Sequence, residues 1–582
     1  MRFLRNFFAS FLALTVFSIF SFFFFAAVIA TLENEKDVTI EENTVLHINL
    51  NRALADRSFS DPLSDLGFGG ETKKIGVINL KKALAHAAND KKIKGIVLAA
   101  PSLMGGFAMG AAVRDALVEF KSSGKFILSY ADYLSEGGFY LSSVADELYI
   151  SPAGGLEWNG LSSTTPFLKG TFEKLEIEPQ IFRVGTFKSA VEPLILDKMS
   201  EANRLQTTSF LNSIYNQMIS EMASDLEMGE AELKNISDKM LAQNLTQATE
   251  LGLISGILYE DEFLRKVADK VEVEKTKDIE FVSFQDYNKS FKKSNSSKNR
   301  IAVIIAEGDI VDGKGAKGQI GSDKFTKEIR KARENDKVKA VVLRVSSPGG
   351  SALASDLIWR EVIKTRETKP VIASFGNYAA SGGYYISMGA DTIVSQPNTI
   401  TGSIGIFGIM FNMGEFMKNK LGITTDGVNT GDFSGMMTSS RKLTDAEKRI
   451  IQNSVEDGYE LFTSKAAEGR NMSIEDLKAV ASGRVWTGTQ AKEIGLVDVL
   501  GDLDDAIAIA ATKAGIEDDY KVRYYPEQKT ALEELMEELE GGAQARIMKA
   551  KLGDMYPYAE MLEQVKSMKG LQARMLYEVE IQ

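Results

Sequence analysis

The sequence contains no cysteine and only two histidines, His47 and His86, among its 582 residues. Without cysteine, the chain can form neither disulfides, nor a catalytic thiolate, nor a cysteine-based zinc site. A Ser-His-Asp triad needs a histidine, and most zinc hydrolases need two or three. Both histidines lie outside every motif described below, so we expect any chemistry to proceed without imidazole.

Basic residues are also in the minority, because 68 Lys and Arg stand against 80 Asp and Glu and give a net charge of −12. Binding to nucleic acid depends on clustered basic residues, so we expect no nucleic-acid partner. The hydrophobic share of 44% and the charged share of 25% are typical of a globular protein. A chain of this length predicts more than one domain-sized unit.

The N-terminus carries a long apolar run, since no charge interrupts the sequence from Asn6 to Leu32. At about 1.5 Å per helical residue, such a run can cross a bilayer core of about 30 Å. Arg2 and Arg5 precede the run, which favours a cytoplasmic N-terminus with the rest of the chain outside. We therefore predict residues 1–32 as a cytoplasmic tip and a single transmembrane anchor. A cleaved signal peptide is the alternative, although its apolar region would be only about 7–15 residues long.

Two regions of the chain resemble each other at a constant offset. The segment KIKGIVL (92–98) matches KVKAVVL (337–343), which gives an offset of 337 − 92 = 245 residues. The same offset aligns SEGGFYLSSVADELYISP, which begins at Ser135, with ASGGYYISMGADTIVSQP, which begins at Ala380. Matched blocks over so long a span indicate two copies of one fold.

The matches define the domain boundaries that we expect. The first copy spans roughly residues 45–295 and the second spans 296–525, with a seam near the polar stretch 292–300. Residues 526–582 are rich in Leu, Met, Glu and Lys at helical spacing, and we predict a helical tail of unknown role.

The second copy alternates between strand-like and helix-like segments. Apolar runs at 300–310, 340–345 and 370–375 are typical of buried parallel strands. Residues 322–336 and 354–368 have helical periodicity. This alternation predicts an α/β fold in which helices connect parallel strands.

Two glycine-rich loops follow successive predicted strands of the second copy. They read SSPGGS (346–351) and NYAASGGYYIS (377–387). Adjacent glycines at the end of a strand leave backbone N–H groups free, and a serine at such a turn presents its hydroxyl. Together the loops can supply a nucleophile and an oxyanion hole, although each loop alone is more often structural than catalytic.

These loops, followed by TGSIG (401–405), closely resemble the long form of the signal peptide peptidase A family, and the resemblance covers nearly the whole chain. That family belongs to the Clp-protease and crotonase superfamily. The resemblance implies two tandem α/β domains of the Clp-protease/crotonase type after one transmembrane helix. It also implies that Ser381 is the nucleophile and that Lys188, in GTFKSAVEP (185–193), is the general base.

The same resemblance implies that Gly350 and Gly382 donate the oxyanion-hole N–H groups and that Ser403 holds the lysine amine. The implied function is a membrane-anchored serine endopeptidase that degrades remnant signal peptides and other apolar, membrane-derived peptides. A homotetramer without metal or cofactor is expected. We expect it in the bacterial inner membrane, in contact with the lipid bilayer, with the catalytic part on the periplasmic side.

The repeat supports this assignment from the residues themselves. The first copy has Glu136 at the position of Ser381, because 136 + 245 = 381. Lys188 in turn projects onto Phe433 and Ser434 of the second copy. Each copy lacks what the other has, so we predict one composite site. The sequence leaves open whether that site forms within one chain or between subunits.

A lysine must be neutral to act as a base. Its ordinary pKa of about 10.4 would have to fall to about 7–8, a shift worth about 4 kcal/mol. Burial between the two copies can supply that shift, and we expect the carboxylate of Glu192 to point away from the amine.

Two other functions remain open at this point: acyl-CoA chemistry of the crotonase type, and a catalytically retired membrane scaffold.

Overall fold

The computed structural model describes residues 2–33, 38–58, 74–291, 296–527 and 570–575. Over these residues the chain forms one long N-terminal helix, two α/β units and a short strand near the C-terminus. Each α/β unit is built on its own sheet, and a third sheet includes strands from both units.

The N-terminal helix α1 (Arg2–Glu33) contains the run that we predicted to be a membrane anchor. Its stretch from Leu4 to Phe24 has 21 residues, none of them buried against the rest of the chain. At about 1.5 Å per residue, this stretch matches the thickness of a bilayer core of about 30 Å. Its length and composition suit a membrane span, and they would equally suit a signal sequence.

The first α/β unit has, within the described residues, a sheet of six parallel strands. Their order across the sheet is β8 (Gly256–Ile257), β6 (Glu147–Leu156), β5 (Phe126–Leu134), β4 (Ile93–Ala99), β1 (Thr44–Asn49) and β9 (Phe281–Ser283). A separate short pair consists of β2 (Leu54–Ala55) and β3 (Ile75–Gly76). The helices are α2 (Val77–Asn89), α3 (Phe107–Lys121), α4 (Glu136–Ser142), α5 (Lys169–Leu175), α6 (Glu192–Ile195), α7 (Glu201–Asp225), α8 (Glu230–Asp238), α9 (Leu245–Glu250), α10 (Glu260–Lys270) and α11 (Phe284–Ser290).

The second unit repeats this plan. Its parallel strands run in the order β20 (Val499–Leu500), β16 (Thr392–Ser395), β15 (Val371–Ala380), β13 (Val338–Ser347), β10 (Arg300–Glu307) and β21 (Lys521–Tyr525). Beside the end of β15 lies β17 (Ile400–Gly402), which pairs antiparallel with β19 (Val485–Thr487). The helices are α12 (Ser322–Glu334), α13 (Ala352–Arg366), α14 (Gly382–Ser387), α15 (Gly414–Leu421), α16 (Asp445–Arg470), α17 (Ile474–Val480), α18 (Gly488–Glu493) and α19 (Leu503–Ala514).

The two sheets have the same strand order, and side chains at matched positions make the same hydrogen bond in each. Asp146 and Asp391, which the 245-residue offset superimposes, each accept a hydrogen bond from a backbone N–H near the start of a strand. The donors are Ile127 in β5 and Val371 in β15, both at 2.8 Å. The predicted internal duplication is therefore confirmed, and the strands and helices predicted for the second copy are observed with shifts of a few residues at their ends.

A third sheet joins the two copies. Its strands run in the order β12 (Gln319–Gly321), β11 (Asp309–Val311), β14 (Gly349–Ser351), β22 (Gln572–Arg574), β18 (Phe407–Asn412) and β7 (Glu178–Arg183). Strand β7 belongs to the first copy and pairs antiparallel with β18 of the second, with Arg183 opposite Phe407. Lys188 follows β7 by five residues, so this pairing carries the lysine loop onto the second copy.

The C-terminal segment differs from the expected helical tail. Residues 572–574 form the strand β22, whereas 528–569 and 576–582 lie outside the described residues. Gln, Ala and Arg are not strong strand formers, so local preference does not explain β22. Instead, the segment fills the gap between β14 and β18, and the hydrogen bonds on both sides override its helical spacing.

Candidate active site

Ser381 lies at the turn between β15 and α14. Its backbone has φ 54° and ψ −111°, a conformation that costs a non-glycine residue about 1–3 kcal/mol. Two hydrogen bonds hold the turn in place: Ser381 N donates to Gly402 O at 2.8 Å, and Tyr385 N donates to Ser381 O at 2.8 Å. The side chain is fully buried. A strained strand-to-helix turn of this kind presents a hydroxyl in a fixed direction.

The glycine-rich loop that contains Gly350 lies directly against this turn. A Cβ atom added to Gly349, whose φ is 104°, would lie only 2.7 Å from Gly382 N. Ser347 Oγ accepts from Gly349 N at 3.1 Å and donates to Gly308 O at 2.6 Å, which fixes the loop. The loop that contains Gly350 therefore lies against Gly382, the residue that directly follows the predicted nucleophile.

The amine of Lys188 reaches this turn from the first copy of the same chain. Its Nζ lies 2.8 Å from Ser381 Oγ, 3.0 Å from Ser403 O and 3.1 Å from Ser403 Oγ. Ser403 also has a positive φ of 50°, and its N–H donates to Arg484 O at 2.7 Å. One chain thus brings together the three side chains that the sequence singled out as nucleophile, base and support.

Burial changes the acidity of this lysine. Lys188 is only 1% exposed, and burial lowers its pKa to about 7. As expected, Glu192 points elsewhere, because its carboxylate accepts from Ser200 Oγ at 2.6 Å and from Asn203 Nδ2 at 3.1 Å. A neutral amine has two N–H groups and one lone pair. It can donate both to Ser403 while its lone pair faces the Ser381 hydroxyl.

Glycines of the second copy make room for the lysine stem. A Cβ on Gly483, whose φ is 77°, would lie 2.6 Å from Lys188 Cβ, and one on Gly405 would lie 3.2 Å from Lys188 Cδ. The ring centroid of the buried Phe407 lies 6.0 Å from Nζ. The stem therefore runs through a narrow passage that larger residues would close.

Gln206 on helix α7 joins the lysine loop to the second copy. Its Nε2 donates to Phe187 O at 3.1 Å and to Ser189 Oγ at 2.8 Å, and its Oε1 accepts from Val485 N at 3.1 Å. The sequence analysis missed both Gln206 and Gly483. A single glutamine on a long helix and a glycine in a loop carry no pattern that would mark them.

The corresponding turn of the first copy contains no hydroxyl at this position. Glu136 stands there, nearly buried, and its Oε1 accepts from Gly160 N at 3.0 Å. Burial raises the pKa of this carboxyl to about 7. Phe433 and Ser434, the counterparts of Lys188, are exposed to solvent. Each copy therefore lacks one of the two residues, and the serine of the second copy meets the lysine of the first in one site.

A buried serine hydroxyl that faces an amine, next to convergent backbone N–H groups, is the arrangement of a serine hydrolase. The sequence model of Peptidase family S49 matches this chain twice, at residues 119–274 and 363–517. The chain belongs to this family, in the group of Protease 4 and signal peptide peptidase A proteins, and is a serine peptidase.

Its relatives are similar over most of their length. Protease 4 of Salmonella typhi is 34% identical over 499 residues, which cover 83% of this chain and 79% of that protein. Protease 4 of Haemophilus influenzae is 32% identical over 538 residues, covering 88% and 87%. The chloroplastic serine protease SPPA of Arabidopsis thaliana is 35% identical over 456 residues, covering 77% and 67%.

Solved structures match one part of the chain at a time. A mutant of ClpP1 from Listeria monocytogenes covers 35% of this chain and 94% of its own, with 15% identity and a TM-score of 0.24. A mutant of the 1510-N membrane-bound stomatin-specific protease covers 40% and 100%, with 17% identity and a TM-score of 0.26. The two tandem α/β domains behind an N-terminal apolar helix that the sequence predicted are confirmed by the double family match and the repeated sheet.

Proposed function

We propose that this chain is a membrane-anchored serine endopeptidase in which Ser381 is the nucleophile and Lys188 is the general base. The observation that carries the proposal is the 2.8 Å separation between Lys188 Nζ and Ser381 Oγ, in a fully buried setting. Burial lowers the pKa of Lys188 to about 7, so a large fraction of the amine is neutral at physiological pH.

In the first half of the reaction, Ser381 Oγ attacks the carbonyl carbon of a peptide bond while Lys188 takes the hydroxyl proton. The negative charge that develops on the carbonyl oxygen is stabilised by the N–H groups of Gly350 and Gly382. Ser403 keeps the amine in line through its carbonyl and hydroxyl oxygens. Lys188 then returns the proton to the leaving amine, and the C–N bond breaks.

In the second half, water replaces the departed amine. Neutral Lys188 removes a proton from this water, which attacks the ester carbon of the acyl-enzyme. The same two N–H groups stabilise the second oxyanion. Collapse of that intermediate breaks the bond to Ser381 Oγ and releases a carboxylic acid, while Lys188 returns the proton to the serine.

We further propose that helix α1 anchors the peptidase in the bacterial inner membrane, with both α/β units on the periplasmic side. The exposed apolar stretch Leu4–Phe24 supports this location, as do Arg2 and Arg5 at its cytoplasmic end. An anchored site meets peptides that remain in the membrane after cleavage. We therefore propose remnant signal peptides and other apolar, membrane-derived peptides as substrates.

A homotetramer is part of this proposal. The segment 421–437 exposes large apolar side chains, among them the fully exposed Val428 and the 73% exposed Met437. Such side chains are costly in water and suit a contact with another copy. Native mass spectrometry of the detergent-solubilised chain should give four copies, and a monomer at micromolar concentration would contradict this assembly.

The function is tested with the full-length chain in detergent and a quenched fluorogenic peptide that has an apolar core. We expect cleavage by the wild-type chain, and none by Ser381→Ala or by Lys188→Ala. A matched control is Lys198→Ala, because Lys198 is an exposed lysine near the same loop. Hydrolysis of an acyl-CoA thioester without peptide cleavage would instead favour crotonase-type chemistry. Inactivity towards both substrates would favour the retired scaffold.

A further inference from the structure

Strand β15, which leads into the turn of Ser381, is irregular near its end. Val345 of β13 lies opposite Phe375 of β15. Two residues further along β13, Ser347 lies opposite Ala379, so three residues of β15 face a single residue of β13. A bulge of this kind bends a strand and redirects the side chains that follow it. The three bulged residues precede Ser381 by three to five positions, so their conformation sets the direction of its hydroxyl.

The middle residue of the bulge, Asn377, is held by the first copy. Its Oδ1 accepts a hydrogen bond from Met109 N at 3.0 Å, and its Nδ2 donates to Gly105 O. A Cβ on Gly106, whose φ is 91°, would lie 2.6 Å from Asn377 Cγ, so the loop encloses the amide closely. An N–H on one side and a carbonyl on the other require an acceptor and a donor in one side chain, and asparagine provides both.

Further contacts hold the same stretch of β15 in place. Ala380, which directly precedes Ser381, is fully buried in a hydrophobic cluster made mainly of first-copy residues. Tyr378 packs against that cluster as well. Within the second copy, Thr401 Oγ1 donates to Ala379 O at 2.7 Å. The bulge is therefore fixed between the sheet of the second copy and the body of the first.

The corresponding position of the first copy is exposed instead. The 245-residue offset places Asp132 at the position of Asn377, since 132 + 245 = 377, and Asp132 faces solvent. The loop that holds Asn377, residues 104–106, corresponds in turn to 349–351, which contains Gly350. The segment that we propose as the oxyanion loop in the second copy thus supports, in the first copy, the strand that leads to the nucleophile.

From these contacts we infer that Asn377 is a positioning residue through which the first copy keeps the Ser381 hydroxyl in line with Lys188, an inference that rests on the proposed function. Among the described residues, the amide of Asn377 makes its hydrogen bonds to Gly105 and Met109, and not to the reacting groups. It acts through the strand. A displacement of about 1 Å at a reacting atom can slow a reaction by about 10²-fold, so a relaxed bulge is expected to reduce turnover.

The first test measures cleavage of the quenched fluorogenic peptide by Asn377→Ala, in the full-length chain in detergent. The concentration of folded sites is counted by complete labelling with a fluorophosphonate. We expect kcat per site to fall about 10–100-fold while KM stays within about twofold, because Asn377 orients the nucleophile and does not bind the peptide. Asp132→Ala, at the matched exposed position, should leave kcat unchanged. An unchanged kcat in Asn377→Ala would overturn the inference.

The same contact can be disturbed from the first copy. Gly106→Ala places a Cβ 2.6 Å from Asn377 Cγ, so kcat should fall with KM unchanged, as in Asn377→Ala. Gly124→Ala is the matched control, because Gly124 also has a positive φ, 79°, and nothing lies within 4 Å of the added atom. An equal fall in the control would show that backbone strain, and not the contact with Asn377, lowers kcat.

The double variant Gly106→Ala/Asn377→Ala separates one shared contact from two independent defects. In the Asn377→Ala background the added Cβ at position 106 meets a smaller side chain. We therefore expect kcat of the double variant to equal that of the more affected single variant. Two falls that multiply would mean that the substitutions act independently, and this result would overturn the inference.

Failure of this inference differs from failure of the proposed function. A wild-type chain that cleaves the peptide, together with an Asn377→Ala chain of equal kcat, would refute the positioning role alone. A wild-type chain that neither cleaves the peptide nor reacts with the fluorophosphonate would refute the proposed function, and the inference with it.

Discussion

Replacing Lys188 by methionine should stabilise the protein near pH 7 while it abolishes activity. In the folded chain the pKa of Lys188 is about 7, against an ordinary value of 10.5. Between these two values the unfolded chain binds more protons, so the stability of the wild type rises with pH across that window. The full shift corresponds to about 5 kcal/mol, of which about 4 kcal/mol still opposes folding at pH 7.

Methionine has a similar length and no charge, so the variant does not carry the free-energy cost of deprotonating a buried lysine on folding. It also loses the hydrogen bonds to Ser403, which offsets roughly 2 kcal/mol. We therefore expect Lys188→Met to be more stable than the wild type by about 2 kcal/mol at pH 7. That advantage should be lost before pH 10, because the cost of deprotonating the lysine on folding has fallen to about 1 kcal/mol at that pH, less than the hydrogen bonds to Ser403 contribute.

The assay is thermal unfolding of both chains in detergent at several pH values from 7 to 10. For a unit of 150–250 residues, each kcal/mol corresponds to roughly 2–4 °C in Tm. The difference in Tm between variant and wild type should fall by several degrees as the pH rises. Lys198→Met, at an exposed lysine, should show no such trend. A pH-independent difference for Lys188→Met would refute a buried, neutral lysine.

Two further substitutions probe how the amine is positioned. Gly483→Ala places a Cβ 2.6 Å from Lys188 Cβ at a φ of 77°, so kcat/KM for the fluorogenic peptide should fall at least tenfold. The control Gly427→Ala should remain fully active, because nothing lies within 4 Å of the added atom. Ser403→Ala removes one of the acceptors of the amine, and kcat should fall about tenfold, or about 1.4 kcal/mol, with KM unchanged. An unchanged kcat in Ser403→Ala would contradict its supporting role.

Much of the fold could be predicted because the two copies still have similar sequence segments at a constant offset. The 245-residue offset that pairs Asp146 with Asp391 reflects one structural task, fixing the start of a buried strand, which both copies retain. The loops around Gly350 and Ser381 were recognisable because turns that expose backbone N–H groups require glycine at fixed positions. These signals are local, so they survive in a single sequence.

Other features could not be predicted because they depend on contacts between distant parts of the chain. The pairing of β7 with β18 joins strands more than 200 residues apart, as 407 − 183 = 224. The buried ion pair between Arg344 and Asp56 also crosses the two copies, at 3.0 Å. The strand β22 arises from a segment with helical spacing. It forms because the segment fills the gap between β14 and β18. Local propensity contains no information about such partners.

The most direct test of the composite site is the rate at which a fluorophosphonate labels Ser381, measured against pH in the wild type and in Lys188→Met. A base with a pKa of about 7 predicts a wild-type rate that rises through pH 7 and then levels off, because only the neutral amine accepts the proton. In the variant the rate should fall by about 10²–10⁴-fold and lose its inflection near neutral pH. Labelling of Lys188→Met at the wild-type rate, with the same pH profile, would contradict the claim that the first copy supplies the base for the serine of the second.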